Sequence, residues 1–268
     1  MTAARPVVRS APAKINLYLH VVGRRRDGYH LLDSLVVFAA VGDRIEARAA
    51  NDLALAVEGP FAGALAGESN NLVLRAARLL REAGDVASGA HILLHKELPV
   101  ASGIGGGSAD AAATFQALLE LWRLTPDPAR LRALALELGA DVPVCLGGRP
   151  AVITGIGEHI VPVPPLPPVW LVLVNPGFAL ATADVFRALA GRASAPPPPW
   201  PTITSTKELI AALAARRNDL EAPALECAPA LAEVLTALRQ APDARLVRMS
   251  GSGATCFGIY ETEQQAAR

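Results

Sequence analysis

Residues Pro99 to Ala112 read PVASGIGGGSADAA, with glycine at positions 103, 105, 106 and 107. A strand-like segment, HILLHKEL (91–98), leads into this stretch, and an Ala/Leu-rich helical segment, ADAAATFQALLELWRL (109–124), leads out of it. Glycine tolerates positive φ and lets a ligand approach the backbone. A helix start adds unpaired N–H groups and the positive end of a dipole. The combination predicts an anion cradle, with phosphate as its occupant. A ligand-free glycine turn is the competing reading. The stretch has no Gly-Lys-Ser/Thr ending and does not open a dinucleotide fold, so the glycines alone do not choose between the two.

The bulk properties narrow the field. A chain of 268 residues allows one large or two modest domains, and with 51% hydrophobic residues a substantial core is expected. Twenty-five basic residues balance 25 acidic ones. That balance argues against nucleic acid or an anionic membrane as partner, since both require a positive field. No apolar run approaches the ~18 residues of a membrane helix, and MTAARPVVRSAPAK lacks the apolar core of a signal peptide. Cys145, Cys227 and Cys256 lie far apart, which predicts free thiols in a reducing cytoplasm rather than a disulfide framework. His91 and His95 are four apart but sit in a strand pattern with no acidic or cysteine companion, so they are read as ordinary strand residues.

From the central stretch outward, residues 6–58 alternate and carry β-branched residues as antiparallel strands do, with a turn at Asp27-Gly28. A helix is predicted over 70–83, capped by Asn70 or Asn71. Another starts at Asp127-Pro128 and ends at Gly139, read as the residue just past its last turn. ADVPVCLGGRPAVITGIGEHIVPV (140–163) reads as a turn followed by short strands. Five prolines in VPVPPLPPVW (161–170) mark a candidate boundary, giving domains 1–160 and 161–268. WLVLVNPG reads as a buried strand, Thr182 as the cap of the next helix, and SAPPPPWP (194–201) as a mobile extended loop. Helices over about 206–217 and 226–240 follow, then strands around a second glycine turn, Ser250-Gly251-Ser252-Gly253, and the start of a short helix.

Four clusters could carry chemistry: Lys14 in PAKIN, Asp141 in GADVPV, Tyr29-His30 after the turn, and the Ser-Gly-Ser-Gly loop. Taken singly each is an ordinary surface charge, hairpin or loop. Taken together with the glycine stretch, PAKIN, PVASGIGGGSADAA and MSGSGATCF resemble, in order and spacing, the three motifs of the GHMP small-molecule kinases. The resemblance runs from Pro12 to Tyr260. Within the family, GRRRDGYH, LGADVPV, NPG followed by Thr182, and RMSGSGA are similar to members whose acceptor alcohol carries a cytidine diphosphate group.

The resemblance implies an α+β, two-domain architecture: an N-terminal domain like domain 2 of ribosomal protein S5, a ferredoxin-like C-terminal domain, and a cleft between. It implies ATP as co-substrate and Lys14 with Asp141 as the catalytic pair. It further implies Pro99, Val100, Ala101, Ser102, Gly103, Ile104, Gly105, Gly106, Gly107, Ser108 and Ala109 as the ATP phosphate loop. Asn16 would hold the substrate, Tyr29 and His30 the cytosine, and Thr182 would lie near the substrate. Relatives have serines where this chain has Gly106 and Gly107, one of them a magnesium ligand. Magnesium is still implied as the companion of ATP, with Ser108, water and phosphate oxygens as the options for its shell. Two readings remain beside a cytidyl-substrate kinase at this point: a kinase for homoserine, a mevalonate or a sugar, and a non-catalytic nucleotide sensor.

Overall fold

The computed structural model describes residues 5–67 and 70–268; the first four residues of the stretch read for a leader lie outside them. Two long strands open the chain, β1 (Val7–Arg24) and β2 (His30–Ala50), and they pair with each other. Gly28, at φ 95°, turns the chain between them. The fold is mixed α+β, and the described residues gather into two compact units. One holds the chain up to Lys14, Ala39–Val100 and Gly105–Gly148; the other holds Ile15–Phe38, Ala101–Ile104 and Arg149–Arg268. Each long strand gives one half to each unit.

In the first unit, the second half of β2 pairs antiparallel with β4 (Gly89–His95), and β4 pairs parallel with β3 (Leu53–Glu58). Parallel neighbours need a crossover, and α1 (Leu72–Ala83) supplies it. Asn71 Oδ1 caps α1 by accepting from Val73 N–H at 2.9 Å. Three more helices follow: α2 (Gly106–Leu121), α3 (Pro128–Leu138) and α4 (Val142–Gly147). Asp127 caps α3 with Pro128 in its first turn, as the dipeptide predicts. Ile45 and Leu94 from the strands, Leu80 from α1, and Phe115 and Leu118 from α2 are fully buried and form this core.

In the second unit, the first half of β2 pairs with β5 (Ala151–Gly155), which turns back as β6 (His159–Pro162). A separate antiparallel sheet runs β7 (Trp170–Val174), β9 (Cys256–Tyr260), β8 (Leu246–Met249). Its helices are α5 (Thr182–Ala188), α6 (Thr206–Ala214), α7 (Glu221–Cys227), α8 (Leu231–Gln240) and α9 (Glu263–Ala266). Leu231 and Leu235 of α8 pack into one cluster with Leu220, Met249 and Cys256.

Several expectations are corrected. The residues after Asp141 form the short helix α4 rather than a turn, because Pro143 falls in the first turn, where its missing N–H costs nothing. The helix read over 226–240 is two, α7 and α8, separated near Pro229. Thr182 is the first residue of α5 and makes no cap; the cap position is Ala181. The proline loop is pinned. Trp200 stacks on Tyr18 with centroids 5.9 Å apart, the Arg216 guanidinium lies 5.2 Å and 5.0 Å from the two rings, and Arg216 Nη2 donates to Pro198 O at 2.8 Å.

Candidate active site

β1 carries Lys14, with only 5% of its surface exposed. Its ammonium donates to Asp141 Oδ2 at 2.7 Å. Asp141 stands at the cap position of α4 yet makes no side-chain cap bond, so its carboxylate is left to the lysine and to solvent; the side chain is 36% exposed. The fold thus brings together two residues 127 positions apart in the sequence. Cys145, one turn along α4, has its thiol pushed up to about 12 by burial and then by Asp141, which makes it an inert packing group.

The glycine stretch comes against the same lysine. Gly105 has φ 64°, and a Cβ added there would lie 3.1 Å from both Cβ and Cε of Lys14. Gly105 is also the cap position of α2, which begins at Gly106 with no side-chain cap and no acidic residue in its first turn. The first N–H groups of such a helix lie outside its own ladder. The loop is thus a helix N-terminus pressed onto a buried ammonium, the geometry of an anion site. Gly106 and Gly107 are helical, so the expected need for positive φ holds at Gly105 but not at Gly107.

Behind the loop lies a cluster that sequence reasoning missed. Lys96 Nζ donates to Asp43 Oδ2 and, at 2.8 Å, to Asp110 Oδ2, and all three side chains are buried. Burial, aided by Asp43 and opposed by Lys96, pushes Asp110 up to about 7. Burial works against the Lys96 ammonium, but the two carboxylates outweigh it and raise Lys96. The available signal was Lys96 standing just before a phosphate-type loop and Asp110 just after it.

The second unit holds the remaining predicted residues. Gly103, at φ 75°, packs against the second glycine loop: a Cβ there would lie 2.4 Å from Gly253 O and 2.7 Å from Ser250 O. Ser250 Oγ donates to Gly103 O at 3.2 Å, and Thr255 N–H donates to Ser102 O at 3.0 Å. Asn16 is fixed by its own N–H donating to Ser250 Oγ at 3.1 Å and by Nδ2 donating to Ser34 Oγ at 2.8 Å. Its Oδ1 is buried with no hydrogen-bond partner among the described residues, an acceptor held in place and unused. Asn16 is two residues beyond Lys14 on β1, so the two share a strand face.

His30 stacks on Phe186 of α5, with centroids 4.8 Å apart and planes at 26°. Burial, then Arg24, lowers the His30 pKa, which favours the neutral ring. Tyr29, its neighbour, is 62% exposed. Thr182 Oγ1 and Ser252 Oγ lie 2.9 Å apart, which ties the start of α5 to the second glycine loop. Phe186 was missed; its only mark in the sequence was standing four residues after Thr182, on the same helix face.

Comparison with known proteins finds matching family profiles and relatives. The GHMP kinases N terminal domain profile matches residues 71–149 and the GHMP kinases C terminal profile matches residues 202–268. The chain is 56% identical to the 4-diphosphocytidyl-2-C-methyl-D-erythritol kinase of Paramagnetospirillum magneticum over 256 residues, which is 96% of this chain and 90% of that one. It is 56% identical to the protein of the same name from Parvibaculum lavamentivorans, over 97% of this chain and 91% of that one. A crystal structure of 4-(cytidine 5'-diphospho)-2C-methyl-D-erythritol kinase superposes with a TM-score of 0.78 at 38% identity, covering 97% and 92% of the two chains. A homoserine kinase from Cytophaga hutchinsonii, at 18% identity and a TM-score of 0.70, shares the fold. Full-length identity above one half, both domain profiles and a basic–acidic pair beside a glycine-capped helix lead to one conclusion: the chain belongs to the GHMP kinase family.

Proposed function

We infer that the protein transfers the γ-phosphoryl group of ATP to the 2-hydroxyl of 4-diphosphocytidyl-2-C-methyl-D-erythritol, giving the 2-phosphate and ADP, a step of the non-mevalonate route to isoprenoid precursors. The observation that carries the reading is the Lys14–Asp141 pair at 2.7 Å, with its lysine against Gly105. A hydroxyl attacking phosphorus must lose its proton, and the moving phosphoryl group must be aligned and its charge stabilised. Asp141 Oδ accepts that proton. Lys14 holds the carboxylate in place through its 2.7 Å hydrogen bond, and its ammonium faces the charge that builds on the transferred group.

The N–H groups from Gly105 to Ser108 at the start of α2 hold the β-phosphate, with Pro99 to Ile104 completing the loop. The spare Oδ1 of Asn16 accepts a hydrogen bond from a substrate hydroxyl, and Thr182 lies beside it. Tyr29 stacks on the cytosine, and His30 reads its edge. A nucleobase platform of this kind has no use in a kinase for homoserine or mevalonate, and a sensor has no use for both Lys14 and Asp141.

Magnesium is part of the reading: when bound, it would neutralise charge on the phosphates. Among the described residues there is no group of three acidic, histidine or cysteine side chains to cage a metal. Phosphate oxygens and water would supply most of its shell, with Ser108 as the candidate protein ligand. A cytoplasmic setting is proposed as well, supported by the three free cysteines. The two family profiles fall on either side of residues 160/161, which supports functional domains of 1–160 and 161–268.

The test is a panel of alcohols with ATP and magnesium: the cytidyl substrate, homoserine, mevalonate and galactose, read as ADP formed and by phosphorus NMR of the product. Phosphorylation of the cytidyl alcohol alone is expected. Turnover of another alcohol with none of the cytidyl alcohol would overturn the assignment.

A further inference from the structure

Resting on the kinase reading, we propose that Asp43, Lys96 and Asp110 are positioning residues that clamp the two ends of the phosphate loop and so preorganise it for ATP. Asp43 Oδ1 accepts from the N–H groups of Glu97 and Leu98, at 2.6 Å and 2.8 Å, which are the residues entering the loop. Its other oxygen accepts from Lys96, and Lys96 reaches across to Asp110 on the first turns of α2, where the loop ends. Lys96 is also held through its backbone, N–H to Glu58 O at 2.7 Å and O from Phe61 N–H at 3.2 Å. One buried ammonium thus joins strand β2, the end of β4 and helix α2 at the point where the chain enters and leaves the cradle.

The cluster lies immediately behind the loop: a Cβ added to Gly106 would come within 3.1 Å of Lys96 Nζ. Its contribution is geometric rather than attractive. One ammonium against two carboxylates supplies no net positive charge, and the upward push on Asp110 moves the cluster toward neutrality behind an anion site. Hydrogen-bonded supports of this sort matter because a small misplacement of a positioned group is costly.

The experiment measures ATP and cytidyl-alcohol binding separately by calorimetry in the parent, Asp43→Asn, Asp110→Leu and Asp110→Asn. Clamping predicts that Asp43→Asn and Asp110→Leu weaken ATP about tenfold or more while the alcohol stays within about twofold. Asp110→Asn, which keeps an oxygen for Lys96, should stay within about threefold of the parent for ATP. Folded variants that bind ATP as the parent does overturn the proposal alone. Equal weakening of both ligands together with a lowered melting temperature also overturns it, since that marks general destabilisation. A parent that binds no ATP overturns the kinase reading and the proposal with it. Should Asp43→Asn and Asp110→Leu fail to fold, hydrogen exchange of the parent decides. Slow exchange at amides 97–98 and 105–110 before ATP is added supports a preorganised loop; fast exchange that slows only with ATP overturns it.

Discussion

Asp141 is the proposed proton acceptor. It occupies a helix cap without capping, faces a buried ammonium and keeps access to solvent. Removing a positioned base costs ~10²–10⁴-fold in rate, so Asp141→Asn is expected to keep the fold and ATP binding and lose about that factor in single-turnover transfer. Lys14→Ala should lose at least as much, and the double variant little more, because the two act as a unit. Turnover of Asp141→Asn within about threefold of the parent would show that the proton leaves by another route. The glycines make a second contrast. Gly105→Val combines φ 64° with a side chain driven into Lys14 and should abolish measurable ATP binding. Gly107→Ala sits in an ordinary helical position with its nearest neighbour, Leu72 Cδ1, at 3.3 Å, and should bind ATP nearly as the parent does. Equal losses in the two variants, measured by calorimetry, would mean that backbone conformation is not what the cradle depends on.

At the scale of elements, the proposed base platform draws on the β1–β2 turn and helix α5, where His30 stacks on Phe186. Tyr29→Ala removes a stacking face worth ~1–3 kcal/mol in other base contacts. The Michaelis constant for the cytidyl alcohol should rise accordingly, with that for ATP little changed; an unchanged constant would remove Tyr29 from the platform. Phe186→Ala should uncover the His30 ring. Since burial is the main cause of its lowered pKa, proton NMR titration should find His30 raised toward the ordinary histidine value. A pKa that stays put would assign the shift to Arg24 instead. Much of this was legible in the sequence. Asn71 and Asp127 announce their helices through capping chemistry that acts over three residues, and the strands announce themselves by alternation. Helix α4 was not legible, because Pro143 and the following glycines read as breakers unless proline is known to lie in the first turn. The Lys14–Asp141 pair came from motif order and not from periodicity. Partners such as Phe186 for His30 and Asp43 for Lys96 depend on tertiary register, which no local pattern encodes.

For the molecule as a whole, two buried carboxylates give the pH profile of stability opposite slopes in different windows. Asp219 accepts from Val21 N–H at 2.8 Å, from Arg217 Nε at 2.7 Å and from Ser194, binding β1 to two later segments of the second unit. Burial opposes its charge, but the His20 ring beside it and hydrogen bonds from Ser194 and Val21 hold it far below the usual aspartate range. A depressed folded pKa means stability that is present above the unfolded value of about 3.9 and is lost as pH falls below it. Asp110 has the reverse sign. Its folded pKa is raised to about 7, so the folded state holds a proton that the unfolded chain releases, and stability declines as pH rises from about 4 to about 7. Melting temperatures followed from pH 3 to pH 9 therefore separate the two. Asp219→Asn should flatten the acid limb below about pH 4 and leave the slope above it intact. Asp110→Asn should do the opposite, gaining on the parent progressively between about pH 4 and 7 and holding a constant difference beyond. An Asp110→Asn profile parallel to the parent's throughout would mean that Lys96 keeps Asp110 ionised in the folded protein. The buried cluster behind the phosphate loop would then carry a net negative charge at neutral pH.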